Sequence, residues 1–203
     1  MTVTQIIPIT KSRSKIYVDQ ELAFVLYKGE LRLYHVREGE EIPPEDCRRI
    51  FQEVLPKRAR LRAMNLLKNR EYTTSQLRAK LKEGFYPQEA IEDALEYVAS
   101  FHYTDDLRYA VDFITCHEND RSRMRIEQDL LRRGISREIL EKAWLEWEDK
   151  GGIQDEQSMI LELLAKRRYD PESADKKEQQ RTYAYLMRKG FSGEQIRRAL
   201  GLF

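Results

Sequence analysis

At 203 residues the chain is long enough to bury a core in one large domain or two small ones. Hydrophobic residues make up 41% and charged residues 35%, a balance that excludes disordered and membranous classes and leans towards helix. A net charge of +1 argues against coating nucleic acid by bulk charge; no stretch approaches the ~20 apolar residues of a membrane span, and no secretory pattern opens the chain, so a cytoplasmic location is expected.

Residues 1–44 differ in texture from the rest. Thr2–Thr10 and Lys15–Val36 are rich in Val, Ile, Tyr, Phe and Leu with partial alternation. Lys28-Gly29-Glu30, between Ala23–Tyr27 and Leu31–Val36, reads as the turn of a short β-hairpin element of two or three strands. Pro43-Pro44 ends it, and Glu45 and Asp46 after Pro44 open the first helix.

From Glu45 onward the pattern is helical. Ile50, Phe51, Val54 and Leu55 form a first stripe that stops at Pro56, and a second helix over 57–70 turns Leu61, Met64, Leu66 and Leu67 inward. Thr73-Thr74-Ser75-Gln76 has the form of a capping box, and the helix it opens ends at Gly84, read as a left-handed position. The motif of a basic helical run, a glycine and an apolar residue recurs at Gly84-Phe85, Gly134-Ile135 and Gly190-Phe191, 50 and 56 residues apart. The expected fold is therefore mainly α: three tandem three-helix repeats (45–103, 104–154, 155–203) forming an elongated, curved body behind the β element of 1–44. Repeated helical units usually build a binding surface rather than a catalytic pocket.

Nothing in the chain assembles a reaction. His35, His102 and His117 lie in separate segments, Cys116 and His117 point about 100° apart on a helix, and Cys47 and Cys116 have no paired spacing. Phosphate loops and zinc patterns are missing, so no enzyme activity, cofactor or metal is expected. Aromatics such as Phe85, Tyr103, Tyr109 and Phe191 read as packing.

Charge is distributed unevenly. Residues 57–83 carry a local net of +7, residues 84–119 a net of −7, and residues 159–203 a net of +4. Arg132-Arg133 and Arg188-Lys189 fall where cations complement helix C-termini. Lys57, Arg58, Arg60 and Arg62 sit at a helix start, where cations are disfavoured, and Arg121, Arg123 and Arg125 crowd another. These two clusters are the first candidates for phosphates or an acidic protein face. Arg70, Arg78, Lys80, Arg132, Arg133, Arg188 and Lys189 complete the candidate set.

Several linked pieces resemble the RecX family, regulators of the RecA recombinase. They are Arg70-Glu71-Tyr72-Thr73 with Gln76-Leu77 and Leu81; Tyr103-Thr104-Asp105-Asp106 through Tyr109-Ala110; Arg125-Ile126 with Asp129-Leu130 and Arg133-Gly134-Ile135; and Arg188-Lys189-Gly190-Phe191-Ser192 with Ile196 and Ala199-Leu200. Together they span 57–203. Ser122-Arg123 stands where the family commonly has Gly-Pro, with Asp129 and Arg133 in place of its Glu and Lys. The resemblance implies a non-enzymatic modulator, a monomer, that docks on the RecA filament on single-stranded DNA, with weak direct DNA binding, and inhibits recombinase, ATPase and coprotease activities. The competing class is an independent helix-turn-helix DNA-binding protein, against which the near-zero net charge counts.

Overall fold

A computed structural model describes residues 1–202 and divides the chain into two compact units, Met1–Asp105 and the segment from Asp106 onward. It holds a three-stranded antiparallel sheet followed by three-helix repeats, one in the first unit and two in the second.

In the first unit, β1 (Val3–Pro8), β2 (Arg13–Val18) and β3 (Glu21–Tyr27) form a meander in the order β1-β2-β3. Arg13 pairs with Tyr27 and Val18 with Glu21 across β2 and β3. The link between those strands is Asp19-Gln20, both at positive φ (49° and 73°), so this tight turn forms without glycine. Ser14, Ile16 and Val18 alternate inward along β2, with Phe24 and Leu26 beside them on β3.

The expected turn at Lys28-Gly29-Glu30 is instead the start of helix α1 (Lys28–Leu33). The Glu30 carboxylate folds back to accept the Tyr27 N–H at 2.7 Å and the Arg58 guanidinium at 3.0 Å, which satisfies the chain end where a hairpin would have begun. A second difference lies at Pro56. Helix α2 (Pro44–Arg49) continues through a π turn (Ile50–Val54) into α3 (Leu55–Leu67), so the helical rod does not stop there. Pro56 comes two residues after the π turn, where the regular ladder of backbone hydrogen bonds is already interrupted, so its missing N–H need not end the rod.

The buried face of α3 is Leu55, Ala59, Ala63 and Leu66; of the expected inward residues Leu66 is buried and Met64 and Leu67 pack on the core, but Leu61 is 53% exposed. Ala59 and Ala63, with Ala90 and Ala94 of α5 (Gln88–Ser100), keep side-chain bulk small in the core these helices share. Between them α4 (Thr74–Glu83) begins at the expected capping box: Thr73 Oγ1 accepts from the Gln76 N–H at 3.1 Å, and the Gln76 carbonyl oxygen accepts from the Thr73 N–H at 3.3 Å. Gly84 caps its end at φ −78°, and the left-handed residue is Phe85 at +63°. Gly84 is required for space instead, since a Cβ there would sit 2.9 Å from the Tyr86 ring.

In the second unit, α6 (Asp106–His117), α7 (Arg123–Arg132) and α8 (Arg137–Asp149) close on Ala110, Ile114, Ile126, Leu130, Ala143, Trp144 and Trp147. Helices α9 (Glu156–Lys166), α10 (Lys176–Lys189) and α11 (Gly193–Leu200) close on Ile160, Leu164, Leu186, Phe191, Ile196 and Leu200. The polar stretch from Tyr169 is pinned at one end, because the Tyr169 ring is buried in this last core. The left-handed geometry expected of Gly84 is found instead at its repeat counterparts Gly134 and Gly190, at φ 84° and 90°.

Thr73→Ala removes the fully buried half of the capping box and is expected to cost about 1–2 kcal/mol of stability, measured by urea unfolding.

Candidate nucleic-acid and partner interface

The candidate cations divide by what they touch. In the first unit four of them are paired. Arg58 donates to the Val25 carbonyl and to Glu30, both at 3.0 Å, with its guanidinium 4.4 Å from the Tyr27 ring centre. Arg60 makes a two-pronged pair with Asp93 and lies 5.0 Å from the Tyr97 ring centre; its hydrogen bond to Asp93 raises its pKa further. Arg78 grips Glu92 at 3.1 and 2.8 Å, and that bond holds the Glu92 carboxyl below its ordinary range. Lys80 reaches Glu83 at 2.7 Å. Acids distant in sequence thus meet much of the charge that crowds residues 57–83. Lys57, Arg62 and Arg70 are exposed and have no carboxylate within ion-pair distance among the described residues; Arg70 rests on the Tyr72 ring at 4.3 Å.

In the second unit a single carboxylate organises three guanidiniums. Asp129, its side chain 12% exposed, is reached by Arg121 at 3.0 Å, Arg125 at 3.3 Å and Arg132 at 3.3 Å. Arg125, Asp129 and Arg132 follow one another at i, i+4 and i+7 on one face of α7, and Arg121 reaches in from the preceding turn. Arg121 also lies 3.8 Å from the exposed Asp120. Arg133 donates to the Tyr109 hydroxyl and sits 4.6 Å from the Phe113 ring centre.

Arg123 faces elsewhere. Its guanidinium bridges Glu127 and Glu148 at 3.3 and 3.1 Å and lies 4.2 Å from the Trp144 ring centre. Its backbone N–H donates to Glu156 at 2.6 Å, and the other Glu156 oxygen accepts from the Gln195 amide. Arg123 therefore helps to seat α9 and α11 against α7.

Ser122 is the pivot of this arrangement. It is fully buried and caps α7 by accepting from the Arg125 N–H at 3.3 Å. Its hydroxyl donates to the Lys189 carbonyl at 2.9 Å, across to the end of α10. Gly190 fits against the same spot: a Cβ there would lie 2.5 Å from Ser122 Oγ and 3.3 Å from the Arg125 nitrogen. Gln154 closes the other side by donating to the carbonyls of Glu118 and Arg121. The departure at Ser122-Arg123 is thus a built joint, and it brings the start of α7 at Arg125 against Gly190, directly after Arg188 and Lys189 in the chain. Both of those side chains are exposed and have no carboxylate within ion-pair distance among the described residues; the Lys189 ammonium lies 5.8 Å from the Tyr185 ring centre.

Two features of this surface escaped the sequence reading. Asp129 was visible as an i+4 and i−3 neighbour of arginines, but nothing local marked it as shared with Arg121. Tyr103, read as packing, is more than half exposed, and so is Phe101, which stacks on it at 6.0 Å.

Models of the RecX family match in three segments: the first three-helix domain over residues 59–97, the second over 105–143 and the third over 154–200. A regulatory protein RecX of Caldanaerobacter subterraneus subsp. tengcongensis is 30% identical over 204 residues, covering the whole of both chains. One from Clostridioides difficile is 26% identical over 93% of this chain and 88% of that one. Two crystal structures share the fold. A regulatory protein RecX superposes with a TM-score of 0.63 at 23% identity over 98% of each chain, and RecX from Lactobacillus salivarius with 0.58 at 19% identity over 73% of this chain and 96% of that one.

Gly190→Ala must place a side chain both at positive φ and into Ser122. It is expected to lose about 2 kcal/mol or more by thermal unfolding. Gly201, also at positive φ but with open space around its Cβ position, gives the cost of the backbone term alone when changed to Ala.

Proposed function

The chain belongs to the RecX family of regulatory proteins, and on that premise we propose that it binds the RecA filament on single-stranded DNA and inhibits its recombinase, ATPase and coprotease activities. It acts without chemistry of its own, as a cytoplasmic monomer, by occupying the filament. What carries this reading is the match to a regulatory protein RecX along the full length of both chains. The charge arrangement supports it. Most of the candidate arginines are paired with carboxylates of the chain itself, and exposed cations remain on α3, at Arg70 and at the end of α10, as suits docking on a polyanionic assembly. Lys57, Arg62 and Arg70 of the first unit, and Arg188 and Lys189 of the second, are the residues proposed to touch the partner directly. Arg121, Arg125, Arg132 and Arg133 present their outer N–H groups from fixed positions. Arg58, Arg60, Arg78, Lys80 and Arg123 hold the helices that carry them.

Surface ion pairs contribute about 0–1 kcal/mol each, so these pairs place groups more than they stabilise the fold. Reversal at Arg121, Arg123 and Arg125 is therefore expected to weaken inhibition of DNA-dependent ATP hydrolysis by RecA, at some cost to the joint. R188E/K189E, which breaks no internal ion pair among the described residues, is the cleaner probe. It should raise the concentration giving half-inhibition about tenfold or more, with an unchanged melting temperature. Full inhibition by a folded R188E/K189E would remove that pair from the mechanism, and no inhibition by the wild-type chain would refute the reading. Tight, sequence-selective binding to duplex DNA without RecA would favour an independent DNA-binding protein instead.

A further inference from the structure

We infer that the joint between the second and third repeats is a composite binding site for the phosphodiester backbone of a nucleic-acid strand, organised by Asp129 and completed by Arg188 and Lys189. The inference rests on the filament reading above and gives it a location. Neither repeat makes the site alone. Arg121, Arg125 and Arg132 come from the second repeat, Arg188 and Lys189 from the third, and the Ser122 hydroxyl on the Lys189 carbonyl fixes one set against the other.

Arg121, Arg125 and Arg132 share Asp129, with Asp120 beside Arg121, while Arg188 and Lys189 have no carboxylate within ion-pair distance among the described residues, so positive charge remains after these pairs are made. That surplus is held in place. A guanidinium has five N–H donors in a planar fork, and each of the three arginines is shown giving one nitrogen to Asp129. Convergence on one carboxylate keeps the three guanidiniums close together, each with further donors to offer. A phosphate, with several acceptor oxygens, can take donors from more than one guanidinium at once. Arg188 and Lys189, exposed at the end of α10 where the Lys189 carbonyl meets Ser122, are the cations the third repeat would add for a neighbouring phosphate of the strand.

Asp129 is thus a positioning residue. It carries negative charge into an anion site, which bulk electrostatics would disfavour, and acts by aiming the arginines. This gives it a distinctive signature: D129N makes the protein more positive by one unit, yet should bind an anionic strand more weakly.

The test uses the full chain and a fluorescein-labelled oligothymidylate, followed by anisotropy across a salt titration. R188A/K189A is compared with K176A/K177A, which removes the same charge from the far end of the same helix, where Lys176 and Lys177 are exposed. R188A/K189A should lose about tenfold in affinity and flatten the slope of log K against log salt by about 1.4, the value for two single-strand phosphate contacts. K176A/K177A should change affinity less than about twofold, because exposed charges separated by more than a Debye length are largely screened. D129N should weaken binding about threefold or more, and D129E should restore it, each variant being checked for a wild-type melting profile. Equal losses in the two lysine-bearing pairs, tighter binding by a folded D129N, or no binding by the wild-type chain at low salt would each overturn the site. So would loss of capture by RecA filaments with unchanged oligonucleotide binding, since the occupant would then be an acidic protein face. If instead the variants lose oligonucleotide binding but inhibit RecA as the wild type does, the site stands and the proposed mode of inhibition fails.

Discussion

A half-dozen carboxylates decide which arginines of this protein are available to anything else. Glu30, Asp93, Glu92, Asp129, Glu127 and Glu148 each take hydrogen bonds from guanidiniums that the sequence alone would leave in solvent, some from covered positions like Asp129 and others at the surface like Glu92 and Glu148. An arginine held in this way has lost side-chain freedom before any partner arrives, so less ordering remains to oppose binding. The near-neutral total charge is therefore a poor guide to the surface. Pairing of charges far apart in sequence concentrates the unmatched cations at a few places.

The joint between the second and third repeats shows how one local rule is reused at a higher level. Each repeat ends its middle helix with a sharp turn containing glycine, a short-range requirement of chain reversal. In the third repeat that turn also becomes a socket: Gly190 leaves room for Ser122, whose hydroxyl caps α7 and bonds the Lys189 carbonyl at the same time. Glu156 repeats the device on the other side, accepting from the Arg123 backbone and from Gln195. Such a joint converts two small bundles with separate cores into a single platform for charged side chains.

Much of this was legible in the sequence because it is local. The Thr73 capping box, the helix opening at Pro44 and the three-repeat succession all follow from periodicity and capping chemistry. The failures share a cause, which is tertiary choice between locally acceptable options. Lys28-Gly29-Glu30 is good turn chemistry, yet Glu30 has a partner in Arg58 and starts a helix. Leu61 fits an amphipathic stripe, yet alanines form the inner face of α3 and turn it outward. Gly84 aligns with Gly190, yet the left-handed residue falls one place later, at Phe85, and what Gly84 supplies is room for the Tyr86 ring. For the site, the basic residues were visible but their sorting into paired and unpaired was not, since Arg60 meets Asp93 and Arg121 meets Asp129 only after folding.

The central claim is that regulation is exerted through cations fixed at the α7–α10 joint. Hydrogen–deuterium exchange of the chain, free and on RecA–single-stranded DNA filaments, tests it most directly. Slowed exchange in the segments 120–133 and 186–192 is the predicted result. Protection confined to the β-sheet and α1, with those two segments exchanging at the free rate, would contradict it.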